Sequence, residues 1–193
     1  MSTKDRILEE ALTLFAENGY DGTGVEQIAE KVGIKAPSLY KHFKGKEDIM
    51  NALIDSAEEH YEASFGSSEH IGKLPESKEE FIQSTLGRIS FTLHDPMIRK
   101  IRKFLVQEQF RSERLAAITT RHQLDGLQGM YTKIISGMME KGLFREDDPT
   151  LLATEVTAPV VLLISKADRQ PQYEKEIMES IEKHIRHFCD VYM

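Results

Sequence analysis

The first 45 residues contain three short helical segments separated by glycines, and this punctuation restricts what the start of the chain can form. From residue 2 to residue 18, apolar residues recur at three- and four-residue spacing, and an Asn-Gly pair supplies a stop. Thr23 and Glu26 then stand at capping-box spacing, which predicts the start of a second helix that ends at Gly33. Two short helices joined by a glycine turn are typical of a helix-turn-helix, although ordinary helical bundles contain the same arrangement.

A third short helix is predicted from about Ala36 to Phe43, where Pro37 is tolerated because it lies in the first turn. At about 100° per residue, Ala36, Leu39 and Phe43 share one face. The opposite face is polar, basic and aromatic, and it carries Pro37, Ser38, Tyr40 and Lys41, with His42 at its edge. Such a surface suits the major groove of DNA, because hydroxyl and ammonium groups bond to bases and phosphates. The alternative is a solvated helix face.

Basic charge is concentrated in this part of an otherwise acidic chain. The formal net charge is -7 at pH 7, which argues against nucleic-acid binding over the whole surface, because phosphate contacts depend on lysine and arginine. Between residues 31 and 46 the sequence has no Asp or Glu and carries Lys31, Lys35, Lys41, Lys44 and Lys46. The sequence therefore predicts one local DNA-binding surface.

The order of residues in this segment resembles the DNA-binding segment of the TetR family. The residues that carry the resemblance are Gly19-Tyr20, Thr23, Val25, Ile28-Ala29, Gly33-Ile34, Leu39-Tyr40, His42-Phe43 and Lys46-Glu47. It covers about Lys4 to Leu53 and is weak beyond, where the family shares helical architecture but little sequence. The resemblance implies a bacterial transcription regulator that binds operator DNA as a dimer.

The resemblance also implies roles for individual residues. Thr23 and Lys46 would contact phosphates at helix N-termini, and Tyr40 and His42 would anchor the third helix on the DNA backbone. The residues that would face the groove and set base specificity are Lys35, Ala36, Pro37, Ser38 and Lys41. Pro37 departs from the glycine usual in the family, and Gly24 replaces the usual Thr or Ser.

The remainder of the chain is predicted to be helical, apart from a loop over Phe65 to Ser77 that is rich in Gly and Ser. A fourth helix begins near Glu47, and the later predicted helices are Lys78 to Leu93, Pro96 to Gln109, Ser112 to Lys141, Pro149 to Asp168 and Gln172 to Tyr192. No alternating strand pattern competes. The fold class is therefore all-α, with a DNA-binding domain over residues 1–47 and a ligand-sensing and dimerisation domain over residues 48–193.

Two apolar stretches near the C-terminus predict a dimer interface. One is a seam along the last helix, and the other, residues 158–164, is apolar on every side and must be buried from more than one direction. The residues assigned to the interface are Val160, Leu163, Ile177, Ile181, Ile185 and Phe188. TetR-like proteins dimerise through their last two long helices, which agrees with this pattern; the alternative is a core within one chain. A two-fold dimer would double the DNA contact.

The middle helices are expected to hold a small-molecule effector of unknown identity, and the site is located by elimination. The candidate ligand-binding residues are Phe91, Met97, Phe104, Phe110, Met130, Tyr131, Ile134 and Met138. Most such residues are simply core. Gly126, Gly129 and Gly137 within a predicted helix suggest close packing or a cavity.

Other functional classes have weaker support in the sequence. His184 and His187 lie near Cys189 but lack a recognised metal spacing, and no catalytic motif is visible, so neither an enzyme, a metal nor a cofactor is expected. The single cysteine and the absence of an apolar signal region predict a cytoplasmic protein without a membrane segment. The leading hypothesis is a ligand-relieved repressor. The alternatives are a DNA-binding dimer without a ligand, and a helical enzyme or metal-binding protein.

Overall fold

The computed structural model describes residues 1–65, 73–111 and 113–193, and within these ranges the regular structure is helical and contains no strand. The all-α prediction is therefore confirmed. The loop predicted over Phe65 to Ser77 includes residues 66–72, which lie outside the described residues, as does the predicted helix start at Ser112.

The chain forms two compact units, and the first of them is discontinuous in sequence. The N-terminal unit comprises Met1–Ser64 together with Asp95–Ile118. The C-terminal unit comprises Phe65–His94 and Thr119–Met193. The helices predicted to bind DNA thus share a compact unit with a segment that follows them by some distance in the chain.

The helices follow one another along the whole chain. The first seven are α1 (Thr3–Asn18), α2 (Val25–Val32), α3 (Ala36–Leu39), α4 (Lys46–Phe65), α5 (Lys78–His94), α6 (Pro96–Glu108) and α7 (Glu113–Thr120). A π-helical turn (Arg121–Asp125) leads into α8 (Gly126–Glu140), which is followed by α9 (Pro149–Arg169), a 3₁₀ turn (Pro171–Tyr173) and α10 (Glu174–Tyr192). The helix predicted from Ser112 to Lys141 is helical without a gap over 113–140, but a π turn interrupts its α-helical hydrogen bonding, since Gly126 donates its N–H to the carbonyl of Arg121.

The first helix is fixed at both ends by local hydrogen bonds. Ser2 is its N-cap, and the Ser2 hydroxyl and the Asp5 carboxylate accept each other's backbone N–H. Gly19 ends the helix at φ 75°, a backbone conformation that side chains with a Cβ rarely adopt. Between these ends, Ile7 and Phe15 are fully buried and anchor α1 in the N-terminal unit.

Two predicted details of the helix-turn-helix are corrected by the structure. The N-cap of α2 is Gly24 and not Thr23, and the side chain that accepts from the cap is Gln27 (2.6 Å) and not Glu26. The third helix is α-helical only over Ala36–Leu39. Its continuation to Phe43 tightens, because the N–H groups of residues 41 and 42 bond to carbonyls three residues back.

The core of the C-terminal unit is formed by α5, α8, α9 and α10. Phe81 lies at its centre, with the rings of Tyr131, Phe144 and Phe188 packed around it at centroid separations of 5.5 to 6.5 Å. The seam of α10 contributes Ile177, Ile181, Ile185 and Phe188 to the same core. Burial of these side chains therefore stabilises the protomer itself.

Candidate nucleic-acid interface

The third helix is held in place by its apolar face, as the sequence predicts. Leu39 is fully buried and Phe43 nearly so, while Ala36 is half-buried at the start of the helix. The ammonium of Lys4 lies 5.7 Å from the centroid of the Phe43 ring. Because its inner side chains are fixed, the backbone of α3 presents its outer side chains in a defined direction.

The outer face of α3 is open to solvent. Tyr40 is 51% exposed, and Lys35, Pro37, Lys41 and His42 are also in the exposed class. Ser38 is half-buried beside them. The lysines at positions 31 and 44 are exposed too, so positive charge extends to both sides of this face. This surface can bond to phosphates and to base edges.

The N-terminus of α2 is left without a side-chain cap. Gly24 has no side chain to accept from the first-turn N–H groups, and none of the described side chains caps them. Unpaired N–H groups at a helix start attract anions such as phosphate. Thr23 cannot supply the missing cap, because its side chain is only 1% exposed and its hydroxyl points to the carbonyls of Gly19 (2.9 Å) and Leu14 (3.2 Å).

Lys46, the first residue of α4, reaches back to the loop that follows α1. Its Nζ donates to the carbonyl of Tyr20 at 2.6 Å and lies 4.2 Å from the centroid of the Tyr20 ring. Burial, and after it the nearby carboxylate of Glu47, raises the pKa of the Tyr20 hydroxyl. The ring is therefore neutral at physiological pH and faces the ammonium.

Residues from α6 and α7 support the DNA-binding helices from behind. The ring of Phe104 stacks on that of Phe15 at a centroid distance of 5.5 Å. The carboxylate of Glu108 is 3% exposed and bonds to Arg111 at 3.3 Å. The guanidinium of Arg114 donates to the side chains of Glu47 and Asn51 at the start of α4. These contacts fix α1 and α4 relative to α6 and α7 within the N-terminal unit.

The predicted ligand-binding residues are divided between the two units. Met97, Phe104 and Phe110 belong to the N-terminal unit, and the other predicted residues belong to the C-terminal unit. Phe110 is 91% exposed, so the prediction that it lines an enclosed pocket is wrong. In the C-terminal unit, Phe91 is half-buried, and the core includes Met130, Tyr131, Ile134 and Met138.

The glycines of α8 have different surroundings. A Cβ on Gly137 would lie 2.6 Å from Leu74, and one on Gly126 would lie 2.8 Å from the carbonyl oxygen of Arg121, so both permit close packing. Gly129 is exposed and has open space beside it, so its replacement would fill no cavity.

A surface cavity of about 490 Å³ lies elsewhere in the C-terminal unit, lined by Ser136, Met139, Glu140, Gly142, Phe144, Glu146 and Pro149. None of the predicted ligand-binding residues lines it.

One of the two histidines near Cys189 in the sequence, His184, contacts the backbone. Nε2 of His184 lies 3.2 Å from the carbonyl oxygen of Val156. Across the described ranges, no cluster of three or more His, Cys, Asp or Glu side chains is placed to hold a metal ion.

The residues predicted to join two protomers are mostly buried within one. Ile181 and Ile185 are fully buried, and Ile177, Phe188 and Val160 are nearly so, while Leu163 is half-buried. The assignment of the α10 seam to the dimer interface is therefore wrong, because α5 and α9 already cover these side chains.

The apolar surface that remains open in this region lies on α9. Leu151, Ala158 and Leu162 are exposed and lie on one face of the helix, which also carries the exposed Glu155, whose carboxylate accepts from the Tyr192 hydroxyl. Leu162 is 68% exposed. By length and composition this helix could cross a membrane, and 39% of its most apolar stretch is buried inside the protomer. The same properties are expected of a helix that packs against a second protomer.

Two residues that support the interface from within the protein are not identified from the sequence. Tyr20 contributed to the family resemblance but received no role, although an aromatic residue directly after a helix stop is a signal that it packs against that helix. Arg114 contacts α4 from more than sixty residues away in sequence, and no local pattern reveals such a contact.

Comparison with known proteins finds a family model that matches the part of the chain carrying this interface. The model of the family described as bacterial regulatory proteins, tetR family, matches residues 7–53. A negative transcriptional regulator of the biofilm operon icaADBC, IcaR from Staphylococcus epidermidis, is 32% identical over 125 residues, which cover 50% of this chain and 68% of the relative. IcaR from Staphylococcus aureus strain Newman is 54% identical over 51 residues, which cover 26% of this chain and 27% of the relative.

Solved structures extend the similarity of fold to the whole chain. A complex of SmeT with triclosan has a TM-score of 0.81 at 17% identity and covers 100% of this chain and 92% of that chain. A second structure of SmeT, described as the repressor of the Stenotrophomonas maltophilia multidrug efflux pump SmeDEF, has a TM-score of 0.75 at 18% identity and covers 100% of this chain and 91% of that chain. At these identities the likeness concerns the fold.

Proposed function

Because this chain belongs to the tetR family of bacterial regulatory proteins and is a DNA-binding transcription regulator, we propose that it is a repressor released from a palindromic operator by a small molecule. Residues 1–47 would carry the DNA-binding surface, and residues 48–193 would sense the effector and dimerise. The protein would work in the cytoplasm, where its operator lies.

The observation that carries the proposal is the outer face of α3. In a chain with a net charge of -7, this face is exposed, basic and rigidly supported by Leu39 and Phe43. A surface with these properties has no function in the packing of the protomer. It is suited to duplex DNA, because lysines neutralise phosphates and a helix of this width enters the major groove.

The individual roles are those that the family resemblance implies for the matched positions, and Ala36 keeps its role although it lies on the half-buried side of α3. Base contacts would come from Lys35, Ala36, Pro37, Ser38 and Lys41, and backbone contacts from Tyr40, His42 and Lys46. Pro37 has no N–H to donate, so its contribution would be apolar contact with a thymine methyl group. Thr23 would act indirectly, because its hydroxyl donates within the protein; the first-turn N–H groups of α2 would bind the phosphate instead.

A homodimer would form through the last two long helices, with the exposed face of α9 at its centre. Leu151, Ala158 and Leu162 supply the apolar surface that such a contact needs. The α10 seam would support this interface from inside each protomer. The two α3 helices would then read half-sites related by two-fold symmetry.

An effector would lower operator affinity by an amount set by its preference for the conformation that does not bind DNA over the conformation that does. Coupling of about 1–3 kcal/mol would weaken operator binding roughly 5- to 150-fold. By reciprocity, operator DNA would weaken effector binding by the same factor. The SmeT complex supports a search among apolar small molecules, since a protein of this fold was solved with triclosan.

The test begins with selection of binding sites from genomic fragments by the purified full-length protein, followed by footprinting. We expect a near-palindromic site and binding at least about 10³-fold tighter than binding to unrelated duplex. Lys41→Ala should weaken this binding, and Lys141→Ala, which removes an exposed lysine at the end of α8, should not. A protein that binds selected and unrelated duplexes equally well would contradict the proposal.

A further inference from the structure

The ammonium of Lys46 is held by Tyr20 before any DNA arrives. Tyr20 supplies both contacts: its carbonyl accepts from Nζ at 2.6 Å, and its ring lies below the same nitrogen at 4.2 Å. A lysine side chain on a helix surface normally samples many rotamers. Here the flexible end is fixed at the edge of the candidate interface.

We infer that Tyr20 is a positioning residue for operator binding, which holds the Lys46 ammonium in the place where it meets a DNA phosphate. The inference rests on the proposed function, in which Lys46 contacts the DNA backbone. Tyr20 itself makes no DNA contact in this arrangement. Its effect on affinity passes through Lys46.

The contacts to Tyr20 orient the ammonium and leave it able to bind phosphate. A lysine ammonium has three N–H donors, and the Tyr20 carbonyl takes one of them. The ring attracts the positive charge as a whole and neutralises none of it. Donors therefore remain for phosphate oxygens, and the side chain loses little additional freedom when DNA binds.

Tyr20 can act in this way because its own position is fixed. Its ring packs against Phe15 at a centroid distance of 5.4 Å, and Phe15 is stacked on Phe104 of α6. The Thr23 hydroxyl bonds to the carbonyl of Gly19, the residue before Tyr20. A Cβ on Gly19 would lie 2.9 Å from Oε1 of Glu108, so α6 closes on this loop as well.

The experiment is a double-mutant cycle on the full-length protein with a duplex that carries the selected operator. Tyr20→Leu removes the ring and should weaken binding about 2- to 30-fold, the range expected for a cation–π contact. Tyr20→Phe keeps the ring and the carbonyl and should bind within about 2-fold of the original protein. Lys46→Met should weaken binding and reduce the slope of log K against log salt by about one unit.

The decisive measurement is Tyr20→Leu in the Lys46→Met background. If Tyr20 acts through Lys46, the second substitution should change affinity by less than about 2-fold, because no ammonium remains to be positioned. A merely structural role would weaken binding equally in both backgrounds. Thermal unfolding of each variant separates loss of fold from loss of contact.

The outcomes separate this inference from the proposed function. Equal losses from Tyr20→Leu in the two backgrounds, or no loss in either, would overturn the positioning role. If Lys46→Met leaves affinity and salt slope unchanged while Lys41→Ala weakens binding, the phosphate role of Lys46 is wrong, and the positioning role is wrong with it. Lys141→Met is the matched control for removal of a lysine and should leave the slope unchanged.

Discussion

Helices α3 and α10 each carry a row of apolar residues along one side. The sequence predicts correctly what surrounds the row of α3, but not what buries the row of α10. In α3, Leu39 and Phe43 pack inside their own unit, and the opposite face is free, as predicted. In α10, the row from Ile177 to Phe188 was assigned to a second protomer, and the structure buries it within the first.

The difference teaches that a periodic apolar row indicates burial but does not identify the partner. For α3 it matters little which helix buries the apolar row, because the prediction of DNA binding depends on the composition of the outward face. For α10 the prediction of a dimer interface depends on which helices bury the row, and in the structure these are helices of the same chain.

The largest effect is expected from Ile181→Glu. Ile181 is fully buried, so a glutamate there would place a carboxylate among apolar side chains and lower the free energy of unfolding by roughly 4 kcal/mol or more. Urea unfolding followed by circular dichroism should show a largely unfolded or aggregated protein. A variant that stayed folded and became monomeric would mean that the row lies between protomers after all.

Leu162→Glu should lower the free energy of unfolding less than Ile181→Glu does, and its main effect should be on dimerisation. Leu162 is 68% exposed, so the protomer tolerates a charge there, but a dimer that uses the α9 face does not. The dimer dissociation constant should rise by roughly 100-fold, about 2.7 kcal/mol. Sedimentation velocity measures the change, and Lys141→Glu should leave the dimer intact. An unchanged dimer dissociation constant in Leu162→Glu would mean that the interface does not use this face of α9.

On α3 the contrast between the two faces predicts opposite outcomes for neighbouring residues. Tyr40→Ala and Lys41→Ala should each weaken operator binding by about 1–2 kcal/mol and change stability by less than about 0.5 kcal/mol. Leu39→Ala should lower stability by about 2–5 kcal/mol, because Leu39 is fully buried. Fluorescence anisotropy and urea unfolding give the two quantities. Loss of stability in Tyr40→Ala would indicate that its ring supports the fold.

These cases show how far sequence reasoning reached. Local patterns predicted α1, the outward face of α3 and the starts of α6 and α9, because caps and periodicity are properties of adjacent residues. They did not predict that Gly24 occupies the N-cap position of α2, since the hydroxyl of Thr23 donates instead to the carbonyls of Leu14 and Gly19.

Contacts between distant segments were beyond the reach of local patterns. The stacking of Phe104 on Phe15 joins residues that only the fold brings together, so Phe104 was assigned to a ligand pocket. Phe110 was assigned there on its apolar character, although it is almost fully exposed. Residue type alone did not separate pocket, core and surface.

The smallest expected effect concerns Cys189, which adjoins the α10 row. Burial raises the pKa of its thiol to about 11, so almost no thiolate is present at pH 8. A thiol reagent should therefore modify Cys189 only when the protein unfolds. Divided by the unfolded fraction of each protein, the rate should be the same in the original protein and in Leu162→Glu, because the protomer alone covers the thiol. A faster normalised reaction in Leu162→Glu would mean that a second protomer covers this row.

The raised pKa also fixes the sign of a stability change at high pH. Because the folded-state value lies above the ordinary value of 9.0, the thiol stabilises the fold fully below about pH 9, and this contribution declines as pH rises toward 11. Cys189→Ala should remove that part of the pH dependence, which unfolding curves at pH 8 and pH 10 would reveal.

The discontinuity of the N-terminal unit has a consequence for the order of events during translation. Residues 1–64 complete this unit only together with residues 95–118, and Phe15 lacks its stacking partner until Phe104 is synthesised. A ribosome that has passed the helix-turn-helix has therefore not yet released a finished DNA-binding module. At a synthesis rate of about 5–20 residues per second, several seconds pass between the synthesis of residue 64 and that of residues 95–118, which pack against the first segment. The N-terminal unit is therefore complete only after more than half of the chain has been made.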